Sequence, residues 1–232
     1  MSPRLLRIAN MVQHPTLVDV GTDHAHLPIY LAKNRNISRA MATDISAGPL
    51  ERGRQNARNA GVSHIIDFIQ CAGLEGVPAD VYDTCTISGM GGEMIITILE
   101  DYIGVAKKFQ QLILSPQRSV PKLRRFLHAN GFAINDEDIV EDNGKLYNIL
   151  DCSPGVIGGY DKVGYEFGQI LLDKQHPLLV DLINQEIKRI ERINLEVLPK
   201  ERREGIIEFR KLCLEVLSAN TSVCRMEVLE CL

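Results

Sequence analysis

Leu17-Val18-Asp19-Val20-Gly21-Thr22-Asp23-His24-Ala25-His26-Leu27-Pro28 is the stretch on which the fold turns. A β-branched run from Thr16 to Val20 ends in Gly21, polar residues follow, and Leu27, Pro28, Ile29, Tyr30, Leu31 and Ala32 read as the start of a buried helix. The pattern is strand, tight turn, helix. Gly21 falls where a buried parallel strand turns sharply and lets a ligand approach the backbone, which a Cβ would hinder. Pro28 suits a first helical turn, where its missing N–H costs nothing. A second strand, Arg39-Ala40-Met41-Ala42-Thr43, runs into Asp44. An acid at the end of the second strand is placed to accept both hydroxyls of a ribose, so the two signals together point to an adenosine-containing ligand.

The alternation continues along the chain. Ser46-Ala47-Gly48-Pro49 opens a helix that runs to Ala60, with Gly61 as its stop. Ile65 to Gln70 reads as a third strand, and Asp80 to Ser88 as a fourth that stops at Gly89-Met90-Gly91-Gly92 before a helix through Glu93, Ile96, Leu99 and Glu100. Leu112 to Ser115 is a fifth, followed by Pro116-Gln117; Ser119 is then expected to cap a helix with Leu123, Phe126 and Leu127 on one face, ended by Gly131. Strands around Phe132 to Ile134 and Leu146 to Leu150 are joined through Glu141-Asp142-Asn143-Gly144 with no helix between them. A short amphipathic helix carrying Leu5, Leu6, Ile8, Ala9 and Val12 leads into the first strand.

Strands that alternate with helices force parallel pairing and right-handed crossovers, hence an α/β, doubly wound sheet. The last two strands should form a terminal antiparallel hairpin at its edge, a methyltransferase-like finish. Ligands in such sheets sit beyond the strand C-termini, where Gly21 to His26, Asp44, Cys71 to Leu74, Ser88 to Gly92 and Ser115 to Gln117 all fall. This first domain is expected over residues 1–154 and a helical one over 165–232, across a connector marked by Gly155, Gly158, Gly159 and Gly164. In the second, Ile183, Ile187, Ile190, Ile193 and Val197 recur at threes and fours, stop at Pro199 and resume at Ile206, Phe209, Cys213 and Leu217. That predicts two antiparallel helices on an apolar, coiled-coil-like seam. The pattern assigns nothing to the tail from Thr221 to Leu232.

Composition narrows the classes. No run of about 18 apolar residues exists, and Arg4, Arg7 and Asn10 interrupt the N-terminus, so neither a membrane span nor a signal peptide fits and a cytoplasmic protein is expected. The six cysteines have no C-x-x-C spacing, which favours buried reduced thiols over zinc or disulfides. A net charge of −4 argues against bulk attraction to nucleic acid, but residues 1–60 hold eight Lys/Arg against four acids, and 61–100 hold no Lys or Arg. A polyanion would meet one basic region of an otherwise acidic chain, unless those charges are only solvated helix faces.

These residues resemble the bacterial tRNA (adenine-22 N1)-methyltransferase family. The likeness is carried by Asp19 to Pro28, by Gly48-Pro49 after Asp44, by Ser88-Gly89-Met90-Gly91-Gly92, by Ser115-Pro116 and by Glu141-Asp142-Asn143-Gly144-Lys145-Leu146-Tyr147, and it covers most of residues 1–175. It implies a Rossmann-like methyltransferase domain that uses S-adenosylmethionine, releases S-adenosylhomocysteine and needs no metal, followed by a small helical, coiled-coil-like domain. It also implies methyl transfer to N1 of an adenine in the D-loop region of tRNA. On that reading Asp19, Gly21, His24, Asp44, Ile45, Ala72, Gly73 and Gly89 bind the cofactor; Asp23 and Ser88 are the catalytic candidates; His26, Met90, Gly91, Gly92, Pro116 and Arg125 face the substrate. Three positions depart from the family pattern: His26 stands for Tyr, Ser115-Pro116-Gln117 stands for a Gln-Pro-Asn type of stretch, and Cys71-Ala72 stands for Gly-Asp. In related methyltransferases that Asp accepts from the adenine amino group of the cofactor.

A sulfonium methyl is already activated, so the protein has mainly to hold the nucleophile in line and exclude water. Adenine N1 carries a lone pair at neutral pH, and methylation makes the ring cationic, so a carboxylate such as Asp23 would stabilise the developing charge. The plainer reading of Asp23 is a cap for the following helix. Ser88 and the Gly89 to Gly92 backbone stand where base-modifying methyltransferases meet a flipped base; alternatively they are a flexible strand-to-helix turn. Asp23, His24 and His26 could suggest a metal, but no third ligand motif accompanies them. A nicotinamide-dependent oxidoreductase lacks support, because the second and third glycines are missing and Asp23 would repel a pyrophosphate. A non-catalytic RNA-binding module on the same fold is the other alternative. Cations available to tRNA phosphates are Arg4, Arg7, Arg118, Lys122, Arg124 and Arg125, and Lys188, Arg189 and Arg192 on the paired helices, which are expected to act as an RNA clamp. The competing role for those helices is a homodimer interface or a stabilising arm.

Overall fold

Leu17 to Val20 are buried, so β1 (Thr16–Val20) needs hydrogen-bonding neighbours on both edges and a layer on both faces. In the computed structural model it has them. β2 (Arg39–Asp44) pairs with it in parallel on one side and β4 (Thr84–Ser88) on the other, with β3 (Ile66–Gln70) beyond β2 and β5 (Gln111–Ser115) beyond β4. β7 (Lys145–Pro154) runs antiparallel to β5, and β6 (Phe132–Asp142) closes the edge, giving seven strands in the order β3-β2-β1-β4-β5-β7-β6. This is the doubly wound sheet with a terminal hairpin that the alternation predicts. The structure describes all residues except 157, 231 and 232, and the side chains of 220–230 are not described.

Helices cover both faces. α1 (Pro3–Met11) starts where Ser2 Oγ accepts from the Leu5 N–H, and Ile8, Ala9 and Met11 pack it onto a core with Leu17, Leu31, Ile113 and Ile149. α2 (His26–Lys33), α3 (Ala47–Asn59), α4 (Gly92–Asp101), the short α5 (Ile103–Ala106) and α6 (Val120–Ala129) follow their strands. Gly61 and Gly131, at φ +73° and +76°, end α3 and α6 as expected.

Several local expectations are corrected. Asp80 to Asp83 do not belong to β4: Ala79–Val81 coil into a 3-10 turn after Pro78, leaving Val81 exposed. Ser119 precedes α6 but its hydroxyl makes no cap, because its backbone is left-handed at φ +59°. Glu141 and Asp142 extend β6, and the hairpin turns on Asn143-Gly144 alone, at φ +53° and +74°, the conformation a two-residue hairpin loop demands. Arg124 is not available to RNA: it is 1% exposed, and its Nε donates to Glu137 Oε1 at 2.7 Å and its Nη2 to Asn148 Oδ1 at 3.3 Å, tying α6 to the hairpin.

The chain divides into two compact units, Met1–Tyr160 and Asp161–Leu232. Gly164 is not part of a loose connector. It is buried in α7 (Lys162–Phe167), where its N–H donates to the capping Asp161 carboxylate at 2.7 Å, and Gly168 at φ +92° separates α7 from α8 (Gln169–Asp173). α9 (Leu179–Glu191) buries Leu179, Ile183, Ile187 and Ile190 and packs against α10 (Lys200–Glu230), which buries Cys213 and Val216. Ile193 and Val197 lie outside α9, since Asn194 accepts from the Glu196 N–H and starts a second 3-10 turn, Leu195–Val197. The backbone of α10 carries the otherwise unassigned tail from Thr221 as far as Glu230; Ile157 of the connector and the end of the tail lie outside the described residues.

Candidate active site

Because β1 to β5 are parallel, their C-terminal ends share one sheet edge: Val20 stands beside Thr43 and Ile87, Asp44 beside Gln70, and Ser88 beside Ser115. The loops that leave those ends are therefore neighbours by construction. Asp19, Gly21, Asp23, His24, His26, Asp44, Ile45, Ala72, Gly73, Ser88, Gly89, Met90, Gly91, Gly92 and Pro116 all lie on strand ends or loops of this edge. Arg125 does not: it is exposed in the second turn of α6.

The turn after β1 is held from below and bent from within. Gly21 and Thr22 N–H groups both donate to Thr43 O, at 2.8 and 2.9 Å. Asp19 is buried beneath them, accepting from Thr86 Oγ1 at 2.6 Å and Thr22 Oγ1 at 2.7 Å, so both carboxylate oxygens are engaged within the protein. Gly21, Asp23 and Ala25 then take left-handed φ values of +68°, +52° and +58°. Two non-glycine residues in that region within one turn are strain of the kind stored at ligand sites. Ala25, not Asp23, stands at the N-cap of α2, and that helix has no side-chain cap. The carboxylate of Asp23 is instead largely exposed, 3.5 Å from His24 Nε2, with the His24 and His26 rings 5.6 Å apart. Among the described residues no group of three or more His, Cys, Asp or Glu could hold a metal ion.

Burial pushes the Asp19 carboxyl up to about 6 from an ordinary 3.8, against the opposing pull of the Thr86 and Thr22 hydroxyls. The folded state thus binds this proton more tightly than the unfolded chain, and the stability it contributes at low pH is lost as pH rises through 6. Asp19→Asn, which cannot ionise, should gain stability relative to the parent between pH 4 and 7, by up to about 3 kcal/mol. Urea unfolding of both proteins at several pH values reads this directly, and a difference that stays flat with pH contradicts it. Burial likewise raises Asp151 to about 6, but that group titrates in both proteins and cancels.

Asp44 closes the second strand with one oxygen committed: Oδ1 accepts from the Ser46 N–H at 2.9 Å. Its main-chain oxygen receives the Cys71 N–H at 3.1 Å, which brings the Cys71 to Leu74 loop alongside. Next to it Ile45 is 71% exposed, a large apolar side chain left in the open beside an acid. The residues would suit an adenosine cofactor: Asp44 Oδ2 could accept from ribose hydroxyls, and Ile45 could offer an apolar face to a purine.

The Gly89 to Gly92 loop is built by close approach. The Gln117 N–H donates to Met90 O at 2.8 Å and the Gly92 N–H to Arg118 O at 2.9 Å, locking this loop to the one that follows β5. A Cβ on Gly92 would lie 2.7 Å from Arg118 O and 2.9 Å from Ser119 O, so glycine is required there. At Gly21 a Cβ would collide with the terminal methyl of Met90, which lies over the turn. Sequence reasoning missed Thr22 and Thr86 as the partners of Asp19; a threonine inside a fully buried parallel strand is the signal that could have found Thr86. It also missed that Arg4 stacks on Tyr147, with its Cζ 4.6 Å from the ring centroid.

With this geometry in place, comparison with known proteins is decisive. A model of the family described as tRNA (adenine(22)-N(1))-methyltransferase matches residues 17–218. The chain belongs to that family. It is 32% identical over 173 residues to the tRNA (adenine(22)-N(1))-methyltransferase of Bacillus subtilis (strain 168), covering 74% of this chain and 73% of that protein. Streptococcus pneumoniae Sp1610, solved in complex with S-adenosyl-L-methionine, superposes with a TM-score of 0.86 at 32% identity, over 94% of this chain and 99% of that one. M. capricolum TrmK, solved with the cofactor product S-adenosyl-homocysteine, gives 0.82 at 25% identity over 94% and 98%.

Proposed function

We infer that this protein transfers the methyl group of S-adenosylmethionine to N1 of adenine 22 in tRNA, as its family membership implies. The observation that carries the reading is the meeting, at one sheet edge, of the Asp44-Ile45 corner with the glycine-built Gly89 to Gly92 loop. The first suits the nucleoside of the cofactor and the second leaves backbone free for a flat base. Bound S-adenosylmethionine supplies an electrophilic methyl on a sulfonium centre. Asp19 acts by fixing the Gly21 turn rather than by direct contact, since its oxygens are already taken. Asp23, exposed beyond the turn, stabilises the positive charge that develops on the adenine, and the half-buried Ser88 hydroxyl at the end of β4 orients the base. Gly73, Gly89 and the His24 main chain complete the cofactor side; His26, Met90, Gly91 and Pro116 line the substrate side.

The cations that remain for tRNA differ in how committed they are. Arg7 is paired with Asp138, Lys122 with Glu93 and Arg189 with Glu186; Arg118, Lys188 and Arg192 are exposed, and Arg125 is exposed without being free of partners. The Lys122–Glu93 and Arg189–Glu186 pairs are solvent-exposed, and such pairs are weak and exchange readily for phosphate. A cytoplasmic tRNA-modifying enzyme is consistent with the described residues, in which no helix is long and apolar enough to cross a membrane.

Incubation with labelled S-adenosylmethionine and unmodified bulk tRNA tests the function: label should enter tRNA. Cofactor binding by calorimetry without any transfer would instead favour a non-catalytic RNA-binding role. Ala72 supplies a finer test. It is exposed on the loop beside Asp44, where related enzymes carry an acid. Ala72→Asp should tighten cofactor binding by about ten- to hundredfold, one charge-assisted hydrogen bond; unchanged or weaker binding means other groups read the adenine.

A further inference from the structure

We propose that Arg4 is the ligand for a phosphate flanking the target adenosine, a substrate-binding role at the mouth of the site that rests on the methyl-transfer reading above. Arg4 lies in the first turn of α1, with its guanidinium stacked on the Tyr147 ring, Cζ 4.6 Å from the centroid. Its Nε and Nη1 are buried and have no hydrogen-bond partner among the described residues. Its third nitrogen, Nη2, lies 3.8 Å from where a Cβ on Gly89 would stand, so the cation abuts the loop that ends β4. Arg7, one turn further along the same helix, has a carboxylate of its own in Asp138. Arg4 has none.

Arg4 is half-buried, and two guanidinium nitrogens held away from water without an acceptor are costly, a cost that an anion drawn to the same cation would offset. Stacking on Tyr147 fixes the plane of the fork, and Nη2, the one nitrogen of the three outside the buried set, is the donor through which a phosphate would be met. The anion cannot be the base, because adenine methylated at N1 is a cation and a guanidinium against it would oppose the reaction. The Glu141 to Tyr147 stretch is also explained: it delivers a ring from the hairpin to a helix at the opposite end of the sequence. A Cβ on Gly89 would sit in ordinary contact with the cation, so it is the left-handed φ of +79° that favours glycine there.

The test uses the full-length protein, Arg4→Gln and Arg4→Lys, and tRNA transcripts carrying adenine 22. Cofactor affinity is measured by calorimetry, and kcat/KM for tRNA is followed against salt. Arg4→Gln should keep its cofactor affinity, lose about 30- to 100-fold in kcat/KM at low salt, and show a salt slope reduced by about one, while Arg4→Lys keeps the parental slope. A neutral methylphosphonate placed in turn on the 5′ and the 3′ side of adenine 22 should slow the parent protein at one of the two positions and leave Arg4→Gln unaffected there. A folded Arg4→Gln with the parental salt slope overturns the proposal. So does a parent protein indifferent to both methylphosphonates, a result that needs no variant to fold. Absence of methyl transfer by the parent to any of these transcripts refutes the methyl-transfer reading itself, and is thereby distinct.

Discussion

Asp44→Ala should lower the affinity for S-adenosylmethionine by between about a hundredfold and ten-thousandfold, the loss expected of two charge-assisted hydrogen bonds to a ribose at about 1.5–3 kcal/mol each. The expectation follows from position. Asp44 ends β2 at the shared sheet edge, beside the exposed Ile45, and only one of its oxygens is used internally, on the Ser46 N–H. The alanine variant also loses that local bond at the start of α3, so Asp44→Asn is the control: it can still accept from Ser46 but carries no charge, and its affinity should fall between the two. Calorimetry with folded variants decides the matter. An unchanged affinity in Asp44→Ala means that the ribose is held elsewhere.

Removing Asp161–Leu232 should cost orders of magnitude in tRNA affinity while leaving cofactor affinity unchanged. Met1–Tyr160 is a compact unit that contains all seven strands and every residue assigned to the cofactor. A cleft at one sheet edge touches only a few nucleotides of a large folded polyanion, so most of the affinity must come from phosphate contacts over a wider surface. The helical unit offers Lys188 and Arg192 exposed on and just beyond α9, and Arg189 in a solvent-exposed pair with Glu186. Full-length binding should weaken steeply with salt. The truncated unit, checked for folding by its cofactor affinity, should show a shallower salt dependence as well as the lower affinity. If it methylates tRNA with the full-length apparent affinity, the helices are not a clamp, and a homodimer interface or stabilising arm becomes their role.

How legible the molecule is in its sequence depends on the range of the forces involved. The doubly wound sheet and its terminal hairpin follow from short apolar runs punctuated by Gly21, Gly61, Gly89 and Gly131, because strand burial and left-handed glycines are local signals with one structural meaning. What escapes the sequence is pairing between distant residues. Arg124 reads as a surface cation on an amphipathic helix, yet Glu137 and Asn148 on the hairpin draw it inside. Of the two readings of Asp23, a charge-stabilising carboxylate and a helix cap, the cap is excluded because the left-handed turn puts Ala25 at that position and turns the Asp23 carboxylate outward. Val197 fits the heptad-like spacing of the second unit, yet Asn194 ends the helical path three residues earlier and leaves Val197 exposed. Within the site, the glycines of the Gly89 to Gly92 loop are visible as a motif, but the carbonyls of Arg118 and Ser119 that forbid a Cβ on Gly92 are visible only in three dimensions.

The central claim is methyl transfer to N1 of adenine 22, and one pair of substrates tests it most directly. Two otherwise identical tRNA transcripts are incubated with the protein and S-adenosylmethionine, one with adenine and one with 1-deazaadenine at position 22, and their nucleosides are analysed by mass spectrometry. The first should take up one methyl, recovered as 1-methyladenosine, and the second none, because replacing N1 by C–H removes the lone pair that attacks. Methyl uptake by the 1-deaza transcript, or recovery of the methyl on another atom of the first, would contradict the account.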